Sequence, residues 1–228
     1  MHFSRIQLTP DSLAAIHHRR KRGGGLFWEH QMIWDLFDNT PEQKRDFLYR
    51  REDAANGLPF YYLLSAREPG NNPIAADIQT RYYRPILKAG DRLQFSLRAN
   101  AVVTRKADDR SKRRIRRDII EAWVDHYKQR FPDPANRPPP AVIHQEAGEG
   151  WMKRQCEGHG FLLEQLRVEN HQFNRVRKPG DSNIRRFTSL DLHGQLVVSE
   201  PEKLLKILER GLGRSKAYGC GLMLVRRS

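Results

Sequence analysis

The sequence predicts an α+β fold made of two tandem βαββαβ units, and three observations point there. Short stretches of alternating apolar and polar residues recur along the chain, as half-buried strands require. Segments of helical period are interspersed among them rather than gathered at one end. From Arg92 onward the order reads strand, helix, strand, strand, helix, strand, and a less regular version of that order precedes it. A chain of 228 residues is long enough for two such units. The division falls at 1–87 and 91–228, each a ferredoxin-like (RRM-like) domain.

In the first unit, "HFSRIQL" places Phe3, Ile6 and Leu8 as a first strand would. The stretch from Pro10 to His30 mixes a short helical pattern, the basic cluster Arg19–Arg22 and the triple glycine Gly23–Gly25, and reads as a mobile basic loop leading into a helix. A helix over Glu29–Asp38 follows, with Met32, Ile33, Leu36 and Phe37 on its apolar face. Thr40-Pro41-Glu42-Gln43 has the chemistry of a helix cap. "DFLYRRED" and "LPFYYLLSA" are two strands around an Asn56-Gly57 turn, and "DIQTRYYRPIL" is a further strand. The usual second helix of the unit is reduced to a connection.

The second unit opens after a Gly90-Asp91 turn with a long strand, "RLQFSLRANAVVTR". An insertion over about 104–148 interrupts it: a basic loop, an exposed helix "IIEAWVDHYKQRF" and a stiff Pro-rich connector "PDPANRPPPAV". A short helix "EGWMKRQCEGHGF" then ends at Gly158 or Gly160. "LLEQLRVENHQF" and "TSLDLHGQLVV" form a hairpin whose tip has the turn chemistry of Pro179-Gly180-Asp181. Ser199 and Glu202 read as a capping box for a helix with Leu204, Leu205, Ile207 and Leu208 inward, and "CGLMLVRR" is the last strand.

Charge narrows the class of partner. Lys and Arg number 41 against 27 Asp and Glu, a net charge of +14, which favours nucleic acid before a membrane surface. The two cysteines, Cys156 and Cys220, support neither a disulfide framework nor a thiolate metal site and suit small buried residues. No apolar run reaches the roughly 18 residues of a membrane span or resembles a signal peptide, so a cytoplasmic protein without a membrane partner is expected. Neither a cofactor motif nor a carboxylate cluster of metal-ligand character is present, so no metal and no cofactor are expected.

Two constellations suit RNA phosphates. The ending "RGLGRSKAYGCGLM" sets Gly211, Gly213, Gly219 and Gly221 around Arg214, Ser215 and Lys216. Glycine permits close backbone approach, and Lys, Arg and Ser are phosphate ligands, whereas the plainer alternative is helix termination followed by a tight turn. Arg175, Arg177, Lys178, Arg185 and Arg186 flank the Pro179-Gly180 turn as a two-sided basic finger, or else as a charged hairpin that resists edge aggregation. Arg113, Arg114, Arg116 and Arg117 could extend that track. His30 falls at the edge of its helix's apolar face, where the helix N-terminus would favour neutral imidazole.

The glycine-rich ending, of the form Gly-x-Gly-x-Ser-Lys-Ala-x-Gly-x-Gly-Leu, resembles that of the CasE family, the crRNA-processing endoribonucleases of the type I-E CRISPR Cascade complex. "HQMIWDLF" with "RDFLYR", "LQFSLRANAVVTR" and "WMKRQCEGHGF" resemble that family's first helix and second strand, the strand opening its second domain, and the next helix. The resemblance spans Met1 to Arg227. It implies a metal-independent endoribonuclease that cuts a CRISPR repeat hairpin by 2′-OH attack, leaves a 2′,3′-cyclic phosphate and a 5′-OH, and stays on the crRNA with the other Cascade subunits. It makes His30 the catalytic histidine and the basic hairpin an RNA-groove element. Family members often carry a tyrosine three residues before the histidine, where this chain has Phe27. That departure keeps a second expectation open, a catalytically silent RNA-holding subunit. His17 and His18, folded back by the glycine run, are stand-ins for the missing hydroxyl.

Overall fold

The structure is a computed structural model, describing the chain except residues 22–24, 39, 41, 71–72 and 107–113 and the side chains of 19–21 and 105–106. Gly23, Gly24, Pro41 and Arg113, and the side chains of Arg19 to Arg22, therefore lie outside the described residues. The fold is α+β with two four-stranded antiparallel sheets. The first is built from β1 (His2–Leu8), β2 (Phe47–Asp53), β3 (Pro59–Ser65) and β4 (Ala75–Tyr82), in the order β2-β3-β1-β4. The second uses β5 (Arg92–Ala99), β8 (Phe161–Arg177), β9 (Ile184–Val198) and β10 (Met223–Arg227), in the order β10-β5-β9-β8. Both orders place the first and third strands of the unit in the middle, the ferredoxin-like arrangement.

In the first unit the segment expected to be a basic loop is helical: α1 spans Pro10–Lys21. Its start carries a signal in the sequence, because the Thr9 hydroxyl accepts from the Ser12 N–H at 3.3 Å and Pro10 takes the first helical position. Leu13 and Ile16 reach the core, while His17 and His18 are exposed on the helix rather than folded back by the glycines. α2 spans Gly25–Trp34, starting earlier and stopping earlier than its periodicity suggested. Met32, Ile33, Leu36 and Phe37 are all buried, the last two in the turn beyond the helix. Thr40–Gln43 caps no helix: Gln43 N–H closes a turn onto the Thr40 carbonyl, and β2 begins at Phe47. The Asn56-Gly57 turn is present, with Gly57 at φ 75°.

The second unit departs from its sequence reading in the insertion. The basic run is an ordered pair of strands, β6 (Val102–Lys106) and β7 (Arg114–Asp118), joined through residues outside the description. α3 (Ile119–Arg130) is not an exposed helix. Asp118 caps its N-terminus through two backbone N–H groups, and Ile119, Ile120 and Ala122 are buried against α4 (Pro140–His159) and the second sheet. The last proline of the Pro-rich stretch is itself the first residue of α4, so that helix begins well before Glu149 and ends at Gly160 with φ 75°. Ser199 and Glu202 form no capping box for α5 (Pro201–Arg210): Glu200 is the cap residue, no side chain bonds there, and Pro201 supplies a first position needing no donor. Cys220 is buried as expected, but Cys156 is only partly so.

The helices α4 and α5 cover one face of the second sheet, where Trp151, Met152, Leu204 and Leu208 meet Leu97, Leu192 and Leu196. β2 is buried on both sides, since Phe47 and Tyr49 join the core under α2 while Leu48 packs with Leu64 and Leu222. The close fit at Leu48 depends on Gly211, the cap of α5, whose φ 75° and ψ 156° lie in a region that only glycine visits readily. A Cβ there would sit 2.9 Å from both Leu48 methyls and 3.0 Å from the Gly221 carbonyl oxygen. Gly211→Ala should therefore cost about 1–3 kcal/mol of stability, more than Gly57→Ala, whose Cβ would meet nothing within 4 Å. Urea denaturation of both variants checks this, and equal losses would show that the Leu48 contact contributes nothing.

Candidate functional site

His30 lies midway along α2, away from the helix N-terminus that the sequence had suggested would tune it. Its pKa is nonetheless lowered, to about 4, first by burial and then by the cation of Arg45. The ring is thus neutral at physiological pH. One turn on, the indole N–H of Trp34 donates to His30 Nε2 at 3.1 Å. Indole is only a donor, so Nε2 carries the lone pair and the neutral ring's proton is on Nδ1. Nδ1 is buried without a hydrogen-bond partner. A base acting here would use the Nε2 lone pair, and a substrate hydroxyl must first take the place of the Trp34 N–H.

Aromatic rings close around the imidazole: Phe47 and Tyr218 each lie 6.0 Å from it, centroid to centroid. Phe47 comes from β2, and Tyr218 from the glycine-rich loop of the other unit. Phe27 packs edge-on against Trp28 and brings no hydroxyl.

The loop after α5 splits its candidate residues between two tasks. Lys216 turns inward, donating at 2.7 Å to the carbonyls of Arg210 and Gly211. Those are carbonyls the end of α5 leaves unpaired, so Lys216 fastens the loop to the helix. One of its three N–H bonds is left over. Burial, then Arg45, lowers its pKa. Ser215 sits at φ 51° and its hydroxyl accepts from Asn100 Nδ2 at 2.6 Å. Arg214 is exposed. Gly213 backs onto the Asn100 carbonyl and Trp151, Gly219 onto Tyr49, and Gly221 onto the Leu212 carbonyl. The four glycines thus serve helix termination and close packing of the loop.

Beside this loop lies a cleft of about 540 Å³. Arg175, Arg185 and Arg186 enter it from the β8–β9 hairpin, Arg214, Ser215 and Tyr218 from the loop, and Arg116 and Arg117 from β7. Arg177 and Lys178 are exposed nearer the turn and do not line it, nor does Arg114. The hairpin is not a free finger, because β8 touches α2 and Val176 near the tip is only 2% exposed. Arg175 stands directly across from Arg186 in the ladder, a like-charge pairing that weakens a hairpin unless an anion relieves it. Among the described residues, Arg175, Arg185, Arg186 and Arg214 have no carboxylate partner within 4.0 Å, whereas Arg117 is held by Asp125 at 2.6 Å. Phe173, 75% exposed, adds an aromatic face to the same cleft.

Sequence reasoning missed Arg45, Trp34, Tyr218 and Phe173. Trp34 follows His30 by four residues, a spacing at which helical side chains meet, so it could have been found. Arg45 and Tyr218 reach His30 only through the tertiary fold. Among the described residues, no group of three or more His, Cys, Asp and Glu side chains is placed to hold a metal ion, and no helix is long and apolar enough to cross a membrane.

Comparison with known proteins finds relatives along nearly the whole chain. The family described as "CRISPR associated protein" matches residues 1–227. The CRISPR system Cascade subunit CasE of Escherichia coli K12 is 27% identical over 201 residues, covering 87% of this chain and 90% of that protein. The CRISPR-associated endoribonuclease Cse3 of Thermus thermophilus is 24% identical over 241 residues, covering 99% of each. A solved structure of the CRISPR endoribonuclease Cse3 bound to a 19-nucleotide RNA superposes with a TM-score of 0.70 at 25% identity, over 99% of this chain and 100% of that one.

The electrostatics around His30 make a direct prediction. A cation beside imidazole disfavours imidazolium, so Arg45→Gln should raise the His30 pKa above about 4. NMR titration of the ring C–H signals checks it, and an unchanged value would assign the whole shift to burial.

Proposed function

The chain belongs to the CRISPR-associated protein family and is of its CasE type, and we propose that it binds the CRISPR repeat stem-loop and cleaves pre-crRNA without a metal ion. On this reading the 2′-OH beside the scissile phosphate attacks phosphorus, giving a 2′,3′-cyclic phosphate and a 5′-OH. The protein then remains on the crRNA as a subunit of Cascade, in the cytoplasm. The unit 1–87 supplies His30, and the unit 91–228 supplies the basic hairpin and glycine-rich loop.

The observation that carries this reading is a histidine held neutral and joined through Tyr218 to a cleft in which Arg175, Arg185, Arg186 and Arg214 have no carboxylate partner among the described residues. Neutral imidazole is the form able to accept the 2′-hydroxyl proton. Arg175, Arg185, Arg186 and Arg214 face the phosphates and offset the charge that grows on the phosphorane. The fixed positions of Arg175, Arg185 and Arg186 on two strands suit the shape of an A-form stem more than the edges of individual bases. Lys216 supports the phosphate site by holding the loop in place, with one N–H bond to spare.

A second reading, an RNA-holding subunit that does not cut, draws on two observations. The Nε2 lone pair of His30 is already occupied by Trp34, and Phe27 has no hydroxyl to add.

Incubation with the host's repeat hairpin in EDTA separates the two. Cleavage is expected, and it should disappear with His30→Ala or with a 2′-deoxy residue at the cut site while binding persists. Tight binding without any cleavage would establish the second reading instead. The acid limb of kcat/KM should fall near pH 4, because His30 is neutral above that and protonated below it. A limb near the ordinary imidazole value of 6.5 would show that burial and Arg45 do not hold the His30 pKa down in the free protein. Arg175→Ala should weaken binding across RNA sequences and reduce the salt slope of log K by about 1.

A further inference from the structure

We propose that Tyr218 is the second proton-handling group of this site, the acid that protonates the departing 5′-oxygen. The inference rests on the reading of the chain as a 2′-OH endoribonuclease. Such a cleavage needs one group to take a proton from O2′ and another to give one to O5′. His30 fills the first role; His17 and His18, the stand-ins the sequence offered for the second, are exposed on α1 and leave it without an owner.

The surroundings of His30 leave few candidates. Arginine does not release its proton in proteins. Lys216 has two of its N–H bonds committed to the Arg210 and Gly211 carbonyls. The Ser215 hydroxyl accepts from Asn100 Nδ2, and a serine hydroxyl is a poor acid. Tyr49 is fully buried, with its hydroxyl donating to the Ala217 carbonyl at 3.2 Å.

Tyr218 is placed differently. It lines the arginine cleft, its ring meets the His30 ring edge-on at 6.0 Å, and its other side stacks on Phe187 at 5.8 Å. Its hydroxyl lies 3.4 Å from Arg185 Nη1, on the side from which phosphates would approach. Two rings fix the phenol, and a guanidinium waits beside its oxygen.

The step balances. As the O2′–P bond forms, the 2′-hydroxyl proton passes to His30 Nε2. As the P–O5′ bond breaks, its electron pair goes to O5′, which takes the phenolic proton of Tyr218. The phenolate is left beside Arg185 and recovers a proton from the His30 imidazolium, which is a much stronger acid than a phenol. Both side chains return to their starting forms, and no proton is gained or lost overall.

The test uses Tyr218→Phe, which keeps the ring and both stacking contacts, in single-turnover assays on two repeat hairpins. One is ordinary RNA; the other has sulfur in place of the scissile 5′-oxygen, so that the leaving thiolate needs no proton. On ordinary RNA the variant should be slower by about 100-fold or more, with unchanged affinity for a 2′-deoxy hairpin that cannot be cut. On the sulfur substrate it should match the unmodified protein, whereas His30→Ala stays impaired on both. A wild-type rate on ordinary RNA, or an equal deficit on both substrates, overturns the proposal and leaves the endoribonuclease reading intact. If the unmodified protein cuts neither substrate, the endoribonuclease reading falls and this proposal with it.

Discussion

The contact between β2 and the glycine-rich loop is the constraint on which the rest of the site depends. Four successive residues of β2, Phe47 to Arg50, are buried, which is possible only because both faces of this edge strand are covered. α2 covers one face; the loop from the other unit covers the second. The Tyr49 hydroxyl donates to the Ala217 carbonyl, and Leu48 fills the space that Gly211 leaves by having no Cβ. Close by, Arg98 of β5 donates to the Arg51 carbonyl at 3.3 Å while Asp191 holds the same guanidinium at 2.7 Å. These bonds tie the two sheets together at the place where His30 and Tyr218 meet. An active site assembled from two units is otherwise at the mercy of their relative motion, and displacements of about 1 Å matter to proton transfer.

The arginines divide by partner. Arg50, Arg51, Arg67 and Arg98 are each paired with a carboxylate, and burial or half-burial of these side chains demands it. The cleft arginines on the hairpin and loop are exposed. The net charge of +14 is therefore expressed where an anion can reach it, and the paired arginines contribute structure instead. His30 feels the same field. Burial and Arg45 together hold it neutral, so the positive surroundings that draw in RNA also keep the imidazole's proton off.

The strands were legible because their apolar periodicity is strong and their turns carry Asn-Gly and Pro-Gly-Asp chemistry. The βαββαβ order followed from that. α1 was hidden because its basic C-terminal half suggests a solvated loop, and only Thr9-Pro10 announces it. The insertion misled in a similar way: a run of eight basic residues in fourteen reads as a solvated loop, yet residues 114–118 pair one for one with β6 and Asp118 caps α3. Pro140 reads as the end of a connector, although a proline is equally at home as the first residue of a helix. At the site, His30 and the hairpin arginines could be picked out as residue types in context. Lys216 could also be picked out, but not which way it points. The partnership of His30 with Arg45 and Tyr218 spans three elements and two units, and no local pattern encodes it.

The Trp34 hydrogen bond to His30 has a consequence for fidelity. At rest Trp34 occupies the imidazole's lone pair, so on the proposed reading an RNA passing through the cleft finds no base free to activate it. Exchanging a neutral hydrogen bond costs about 1 kcal/mol when its replacement is imperfect. A loosely seated strand bears that cost, whereas one whose 2′-hydroxyl docks in register recovers it. On that reading the indole is a catch that the geometry of the substrate itself releases.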